Sequence, residues 1–326
     1  MIALVFVNIS LGSVTIPLKN TFTILFGGDT SNTSWTYIIW DSRIPKAFTA
    51  ILVGSGLSLS GLLMQTLFRN PLAGPFVLGI SSGASLGAAL LIMGASIFSS
   101  IFSFSLFNDV SLAIASSLGS FLVLLAVLSV AAKVKDTMSL LIIGLMFGSI
   151  TGAVVSVLSY FSSAEKLQQY IYWGFGSLGG LSWSQLALLS LLVGIGIFLS
   201  IISIKPLNAF LLGENYAQSL GVELKKSRFI IIMATGLLAG AITAFAGPIA
   251  FIGLAVPHLT RQLFNTTDHK ILVPAVCIYG GILMLVCDTI AQLPTSASVL
   301  PINAITSIIG APVVIWLLIR KRKMVF

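Results

Sequence analysis

Along the chain, apolar runs of about twenty residues alternate with short polar stretches, and twenty residues is the length a helix needs to cross a bilayer core. The runs fall near 1–17, 47–68, 80–105, 109–132, 138–161, 184–204, 229–246, 249–263, 270–293 and 302–319. This pattern predicts an all-α integral membrane protein with about ten transmembrane helices, forming a single transmembrane domain over 1–326. The first and eighth runs are short. At about 1.5 Å per residue, the stretch before Gly12-Ser13 covers little more than half a bilayer core, so it is read as a truncated first helix. It has neither a basic start nor a small-residue cleavage site, and so does not read as a secretory signal. Small residues recur inside the runs, as in Gly54-Ser55-Gly56 and Ser81-Ser82-Gly83-Ala84-Ser85, and they let helices approach closely in lipid.

Composition agrees: 57% of the 326 residues are apolar and 8% charged, with a mean hydropathy of +1.07. A soluble domain carries roughly 25% charged residues, so a soluble reading is excluded. The net charge of +8 is explained by position rather than by nucleic acid. With the amino end inside, Arg69, Lys133, Lys135, Lys205, Lys225, Lys226, Arg228, Arg261, Lys270 and the tail Arg320-Lys321-Arg322-Lys323 fall in cytoplasmic segments. Only Lys19, Arg43, Lys46 and Lys166 fall outside. Cytoplasmic loops collect cations, which places both termini in the cytoplasm and favours an even number of spans. Cys277 and Cys287 lie in one run, about 15 Å apart on a helix, too far for a disulfide. Metal-ligand spacings such as CxxC or HExxH are absent from the sequence, and no metal site is expected.

Leu72-Ala73-Gly74-Pro75 follows the second run and Phe245-Ala246-Gly247-Pro248 the seventh. The two turns fall on opposite sides of the membrane, as an inverted repeat would place them; chance similarity in a Gly-rich chain is the rival explanation.

Three segments are too polar or too specifically spaced to be lipid filler. Arg43-Ile44-Pro45-Lys46 sets two cations around a helix-starting proline at the outer mouth of the second run, either to steer an acidic partner or to snorkel at the interface. The cytoplasmic stretch 205–228 contains Gly213, Glu214, Ala217, Leu220 and Gly221. Glu214 suits the positive end of a short helix, Ala217 and Leu220 share a face, and Gly221 can end the helix in a left-handed cap. Two turns are unstable alone, so this helix rests either on a cytosolic motor subunit or on its own protein. The third segment runs from Gly247-Pro248 to Pro257-His258 and Arg261, two prolines bracketing a short helix; broken backbone at membrane depth lines a cavity or is buried in protein. His258 is read as a structural hydrogen-bonding residue. Asp288 lies inside an apolar run, where a carboxylate is a functional candidate by default, either structural and gating or ion-coupling.

Taken together, these segments resemble the FecCD family, the permeases of type II ABC importers for iron-siderophores, haem and cobalamin. The resemblance covers nearly the whole chain from Gly12. It includes Arg43-Ile44-Pro45-Lys46, Gly61-Leu62-Leu63-Met64-Gln65, Arg69-Asn70-Pro71-Leu72-Ala73-Gly74-Pro75 and Leu78-Gly79-Ile80-Ser81-Ser82-Gly83-Ala84. Further along come the 213–221 stretch, Gly247-Pro248 through Pro257-His258-Leu259, and Leu300-Pro301-Ile302-Asn303 through Gly310-Ala311-Pro312.

The resemblance implies the type II ABC importer permease fold, multi-pass in the bacterial inner membrane. It implies a second permease subunit (a homodimer), a cytoplasmic ABC ATPase that carries the ATP and Mg, and an extracytoplasmic substrate-binding protein. By the same resemblance Arg43 and Lys46 receive one lobe of that binding protein, while Gly213, Glu214, Ala217, Leu220 and Gly221 contact the ATPase. Asn70 and Leu72, with Thr137, Met138 and Ser139, match the cytoplasmic gate. Gln292 stands where the family often has a third docking arginine, and Leu300-Pro301-Ile302-Asn303 replaces the usual Leu-Pro-Val-Gly. The chain has no Gly-x-x-x-x-Gly-Lys-Ser/Thr phosphate loop and is not itself expected to be an enzyme or to bind a cofactor. The expected cargo is a bulky iron chelate, siderophore-iron first, with haem and cobalamin open. The competing expectation is an ion-coupled secondary transporter working through Asp288.

Overall fold

The computed structural model describes residues 1–12, 14, 16–28, 33–94, 109–131, 133–134, 137–292 and 299–319. Among them are helices and turns and no strand. The helices are α1 (Ile2–Ser10), α2 (Leu18–Leu25), α3 (Thr33–Tyr37), α4 (Ile44–Leu67), α5 (Ile80–Ile92), α6 (Asp109–Ala131), α7 (Thr137–Tyr160) and α8 (Ala164–Gly174). They continue as α9 (Trp183–Ile202), α10 (Ile204–Leu211), α11 (Glu214–Ser219), α12 (Leu224–Ala246), α13 (Ile252–Phe264), α14 (His269–Ala291) and α15 (Ile302–Ile319). Every one of the ten apolar runs carries a helix, but among the described residues six helices are long and apolar enough to cross a bilayer. These are the continuous helix Thr33–Leu67, which contains a π-helical turn at Ile38–Arg43, together with α6, α7, α9, α12 and α14. The expected count of about ten spans is not confirmed. Helix α1 has 9 residues and α5 and α13 have 13 each. Residues 95–105, Lys135, Leu293-Pro294 and the basic tail 320–323, all used in the sequence reading, lie outside the described residues.

Sequence chemistry fixes several ends. Pro45 sits in the first turn of α4, where its missing N–H costs nothing. Ser182 and Gln185 form a reciprocal capping box at the start of α9, and Asp268 accepts from the Lys270 N–H to cap α14.

Helix α4 is the hub, with nearly all its residues buried, whereas α7 is mostly exposed; α4 packs on α14, α12, α13 and α9. Glycines set how close the neighbours come. A Cβ on Gly54 would overlap the Gly280 carbonyl of α14, and one on Gly61 would overlap the Gly253 carbonyl of α13. The outward faces of α6, α7 and α9 expose Leu118, Leu122, Ile142, Met146, Leu191 and Phe198, as lipid-facing helices do.

Two elements are broken at depth. After α4 the chain turns at Arg69 (φ +47°), passes a 3₁₀ turn at Pro75–Leu78 and only then starts α5. After α12 it runs unwound from Gly247 (φ +73°) to Phe251 (φ +67°) before α13. Asn303 Oδ1 accepts the Ala250 N–H at 3.0 Å and so satisfies part of the unwound backbone. The expectation that Pro248 and Pro257 bracket a short helix is corrected here. Helix α13 begins at Ile252 and runs through Pro257 to Phe264. Proline cannot donate to the carbonyl four residues back, which is that of Gly253. That carbonyl faces the Cα of Gly61 instead, so the helix tolerates the proline.

Candidate functional site

The polar side chains gather at the two ends of the bundle. At the end where α4 begins and α14 finishes, the Arg43 guanidinium is buried, 9% exposed. Its Nη1 donates to the carbonyls of Ile9 (2.6 Å) and Ser10 (2.9 Å), and its Nη2 donates to that of Val14. Gly12 lies beneath it, where a Cβ would come within 2.9 Å of Nη2. Arg43 therefore ties the amino-terminal helix to the hub.

Lys46 Nζ lies 3.0 Å from Asp288 Oδ1, the two side chains being 18% and 3% exposed. Asp288 Oδ2 accepts from Asn8 Nδ2 (2.9 Å) and Gln292 Nε2 (2.7 Å). Asn8 also donates to Thr289 Oγ1. Helix α14 thus holds its one carboxylate against a lysine and two amides, which is how a charge is kept in an apolar helix. Beside Lys46 a cavity of about 230 Å³ is lined by Tyr172, Trp173, Gly176, Gly179, Gln185 and Gly247, among others.

At the opposite end lies the short helix α11, between Gly213 (φ +102°) and Gly221 (φ +82°). Val222 N–H bonds to Ala217 O and Gly221 N–H to Gln218 O, the paired bonds of a Schellman cap. Glu214 Oε2 pairs with Arg228 Nη2 at 2.5 Å, fastening α11 to α12. The expectation that Ala217 and Leu220 share one face is corrected: Ala217 is fully buried, whereas Leu220 is 59% exposed. Leu220 is the C-terminal cap, φ −80° and ψ 6°, so the helical spacing no longer applies to it. Leu212, Tyr216 and Leu220, on the helix and at its two flanks, are all exposed.

Between α11 and the hub lies a polar cluster. Arg261 donates to Gln65 Oε1 (3.0 Å) and Thr66 Oγ1 (3.4 Å), and Gln65 Nε2 donates to the Leu254 carbonyl (3.3 Å). Thr66 Oγ1 lies 2.9 Å from Nε2 of the buried His269. His269 Nδ1 in turn lies 2.7 Å from Asn208 Oδ1 on α10, and Asn208 Nδ2 donates to Asp268 (2.8 Å). The Lys270 N–H and the Asn208 amide together hold the Asp268 carboxyl below the usual carboxylate range. His258 Nε2 donates to the Pro71 carbonyl at 2.8 Å, a structural bond. Asn70 Oδ1 accepts the Leu72 N–H at 2.9 Å, leaving Leu72 outward. Thr137 starts α7; Met138 is exposed and Ser139 half-buried. The 3₁₀ turn meets α7 further along, at Gly144.

The structure thus joins Lys46 to Asp288, Glu214 to Arg228, and His258 to the 70–72 turn. It turns the Arg43 guanidinium onto the carbonyls of Ile9, Ser10 and Val14. Asn8, Thr66, Asn208 and His269 were missed in the sequence. The available signal was a polar residue inside or abutting an apolar run; what the sequence lacked was the pairing, since Asn8 and Asp288 are 280 positions apart.

A model of the FecCD transport family matches residues 1–320. The vitamin B12 import system permease BtuC of Klebsiella pneumoniae subsp. pneumoniae is 39% identical over 285 residues, 87% of this chain and 83% of that protein. BtuC of Salmonella typhi is 36% identical over 298 residues, 91% and 88% of the two chains. A solved ABC transporter assigned to the metal-chelate type, in an inward-facing conformation, superposes with a TM-score of 0.84 at 28% identity, covering 98% of this chain and 96% of that one. PsaBC of Streptococcus pneumoniae in complex with Fab shares the fold, with a TM-score of 0.58 at 14% identity, covering 84% and 90%.

Proposed function

The chain belongs to the FecCD transport family, and from that premise we propose that it is the permease subunit of an ABC importer carrying a bulky metal chelate into the cytoplasm. The observation that carries this reading is the whole-chain likeness, in sequence and in fold, to import permeases and to a metal-chelate type ABC transporter. It is a transport component, working with a separate ATPase and a substrate-binding protein. The cation-rich end is assigned to the cytoplasm, and both termini with it, because cytoplasmic loops collect Lys and Arg. Asn70, Leu72, Thr137, Met138 and Ser139 are assigned to the gate at that end. The exposed Leu212, Tyr216 and Leu220 are assigned to the ATPase contact, since apolar side chains exposed beyond the spans mark a partner surface. Two copies of this chain form the pathway, in the bacterial inner membrane.

The cargo is a metal chelate, and the curated relatives that import vitamin B12 favour a corrinoid over siderophore-iron within that class. Arg43 and Lys46 stand at the outer end, where Lys46, partly exposed, is assigned to the binding protein and Arg43 to holding α1. Ion coupling through Asp288 is not favoured, because Lys46 already neutralises that carboxylate.

The test is co-purification with the ATPase from membranes, comparing wild type with Tyr216→Asp. Glu214→Arg is a poorer probe, because it breaks the pair with Arg228 within the chain. Tyr216→Asp is expected to release the ATPase at least about tenfold more readily, since buried interface aromatics carry much of the binding energy. A chain that purifies alone and takes up cobalamin or a ferric siderophore on an ion gradient would overturn the proposal.

A further inference from the structure

The cluster around His269 has a direction. Asn208 Oδ1 accepts both the His269 backbone N–H (3.0 Å) and the ring Nδ1 (2.7 Å), while its Nδ2 donates to the Asp268 carboxylate. A backbone N–H can only donate and a carboxylate only accept, so the amide has one permitted orientation. That orientation puts the ring proton on Nδ1 and leaves Nε2 of the neutral ring as the acceptor of the Thr66 hydroxyl. The Thr66 oxygen, in turn, accepts from Arg261. Every link then donates the same way, from the Arg261 guanidinium through Thr66, His269 and Asn208 to Asp268. Thr66 has a second outlet for its single proton, the Leu62 carbonyl at 2.9 Å, so this link has two alternative arrangements.

The chain of bonds runs through three elements that also pack on one another, α10, α14 and the end of α4. Asn208 is on α10, whose Leu207 and Phe210 are buried and which leads directly into α11. Gln65 and Thr66 are the last turn of α4, and the Gln65 carbonyl accepts the Asn70 N–H at 3.1 Å. Between them His269, completely buried, begins α14. Packed side chains and buried hydrogen bonds with two discrete arrangements are the physical means by which one element biases another.

We propose that Asn208, His269 and Thr66 are positioning residues for transport, forming the joint through which α10 and α11 move the 70–72 turn. The inference rests on the permease reading and on the ATPase contact of α11. Thr66→Val removes the hydroxyl and keeps the shape; Thr66→Ser keeps the hydroxyl.

The experiment uses the complex with its ATPase in inside-out vesicles, with Leu72→Cys as reporter of the turn. Labelling by a membrane-impermeant maleimide is compared without nucleotide and after trapping with ATP and vanadate; a parent lacking Leu72→Cys gives the background from Cys277 and Cys287. Wild type and Thr66→Ser are expected to change labelling rate about tenfold on trapping, within the usual range of a coupling free energy. Thr66→Val and Asn208→Leu are expected to trap nucleotide as wild type does while losing that change. A merely structural role would lower trapping and labelling change together, which overturns the joint. So would Thr66→Val retaining the full change, or a wild-type turn that never responds. If Asn208→Leu fails to assemble, Thr66→Val decides alone. If the wild-type complex traps no nucleotide, the permease reading itself fails and takes the joint with it.

Discussion

A carboxylate in an apolar helix is tolerated when a cation and enough donors meet it, and Asp288 has Lys46, Asn8 and Gln292. The pair is mostly buried, so it says less about net stability than about what happens when half of it is removed. Asp288→Asn leaves Lys46 charged and facing amides. The expected loss is about 3 kcal/mol, the lower end for breaking a buried pair, read as a drop in the unfolding midpoint of purified protein. Asp288→Leu combined with Lys46→Met is expected to recover most of it, because an apolar pair carries no desolvation cost. An unchanged midpoint for Asp288→Asn would show that the pair is a solvated surface contact. Gln292 matters here too: standing where the resemblance led us to expect a docking arginine, it is spent on Asp288.

At the scale of elements, glycine decides which helices touch. Gly61 meets the Gly253 carbonyl so closely that a methyl group requires α4 and α13 to separate. Gly61→Ala is expected to destabilise by about 2 kcal/mol, the usual cost of forcing extra volume into a packed core. Gly152, on the mostly exposed α7, has open space around its Cα. Gly152→Ala is expected to be neutral or to gain about 0.5 kcal/mol from helix propensity. The two variants, compared by thermal unfolding in the same lipid, separate packing from propensity; equal effects would contradict the close crossing. The same contrast explains what was legible in the sequence. Apolar runs located most long helices to within a few residues, because length and hydropathy are local, but they missed the polar start of the continuous helix Thr33–Leu67, whose run begins only near 47. The Gly61–Gly253 crossing, the Arg43 tie to α1 and the Lys46–Asp288 pair are meetings between distant residues, which no local pattern encodes. Leu220 was misplaced for a different reason: it was treated as helical, whereas the chain leaves the helix there. Helix α8 was overlooked because its mixed polar and aromatic composition lacks the apolar run that marked the others.

At the scale of the whole molecule, the two unwound segments enter from opposite ends and meet. The Pro75 turn, arriving from the Arg69 end, touches Gly253 at the start of α13, which follows the unwound stretch arriving from the Gly247 end. Both follow a long, buried helix and both lead into a helix of 13 residues. The Ala-Gly-Pro similarity thus falls at two unwound turns, each placed between a long helix and a short one. Broken backbone at depth persists only where protein groups satisfy it, and Asn303 does this for the second segment through the Ala250 N–H. Asn303→Leu leaves that part-buried N–H without its acceptor, at a cost of about 1 kcal/mol, whereas Asn303→Asp retains an acceptor oxygen. Hydrogen exchange of the peptide spanning 247–254 is expected to accelerate strongly in Asn303→Leu and little in Asn303→Asp, with the peptide spanning 70–79 responding in parallel because Pro75 rests on Gly253. Exchange that rises only in 247–254 would mean that the two segments abut without supporting each other, and each would then act independently.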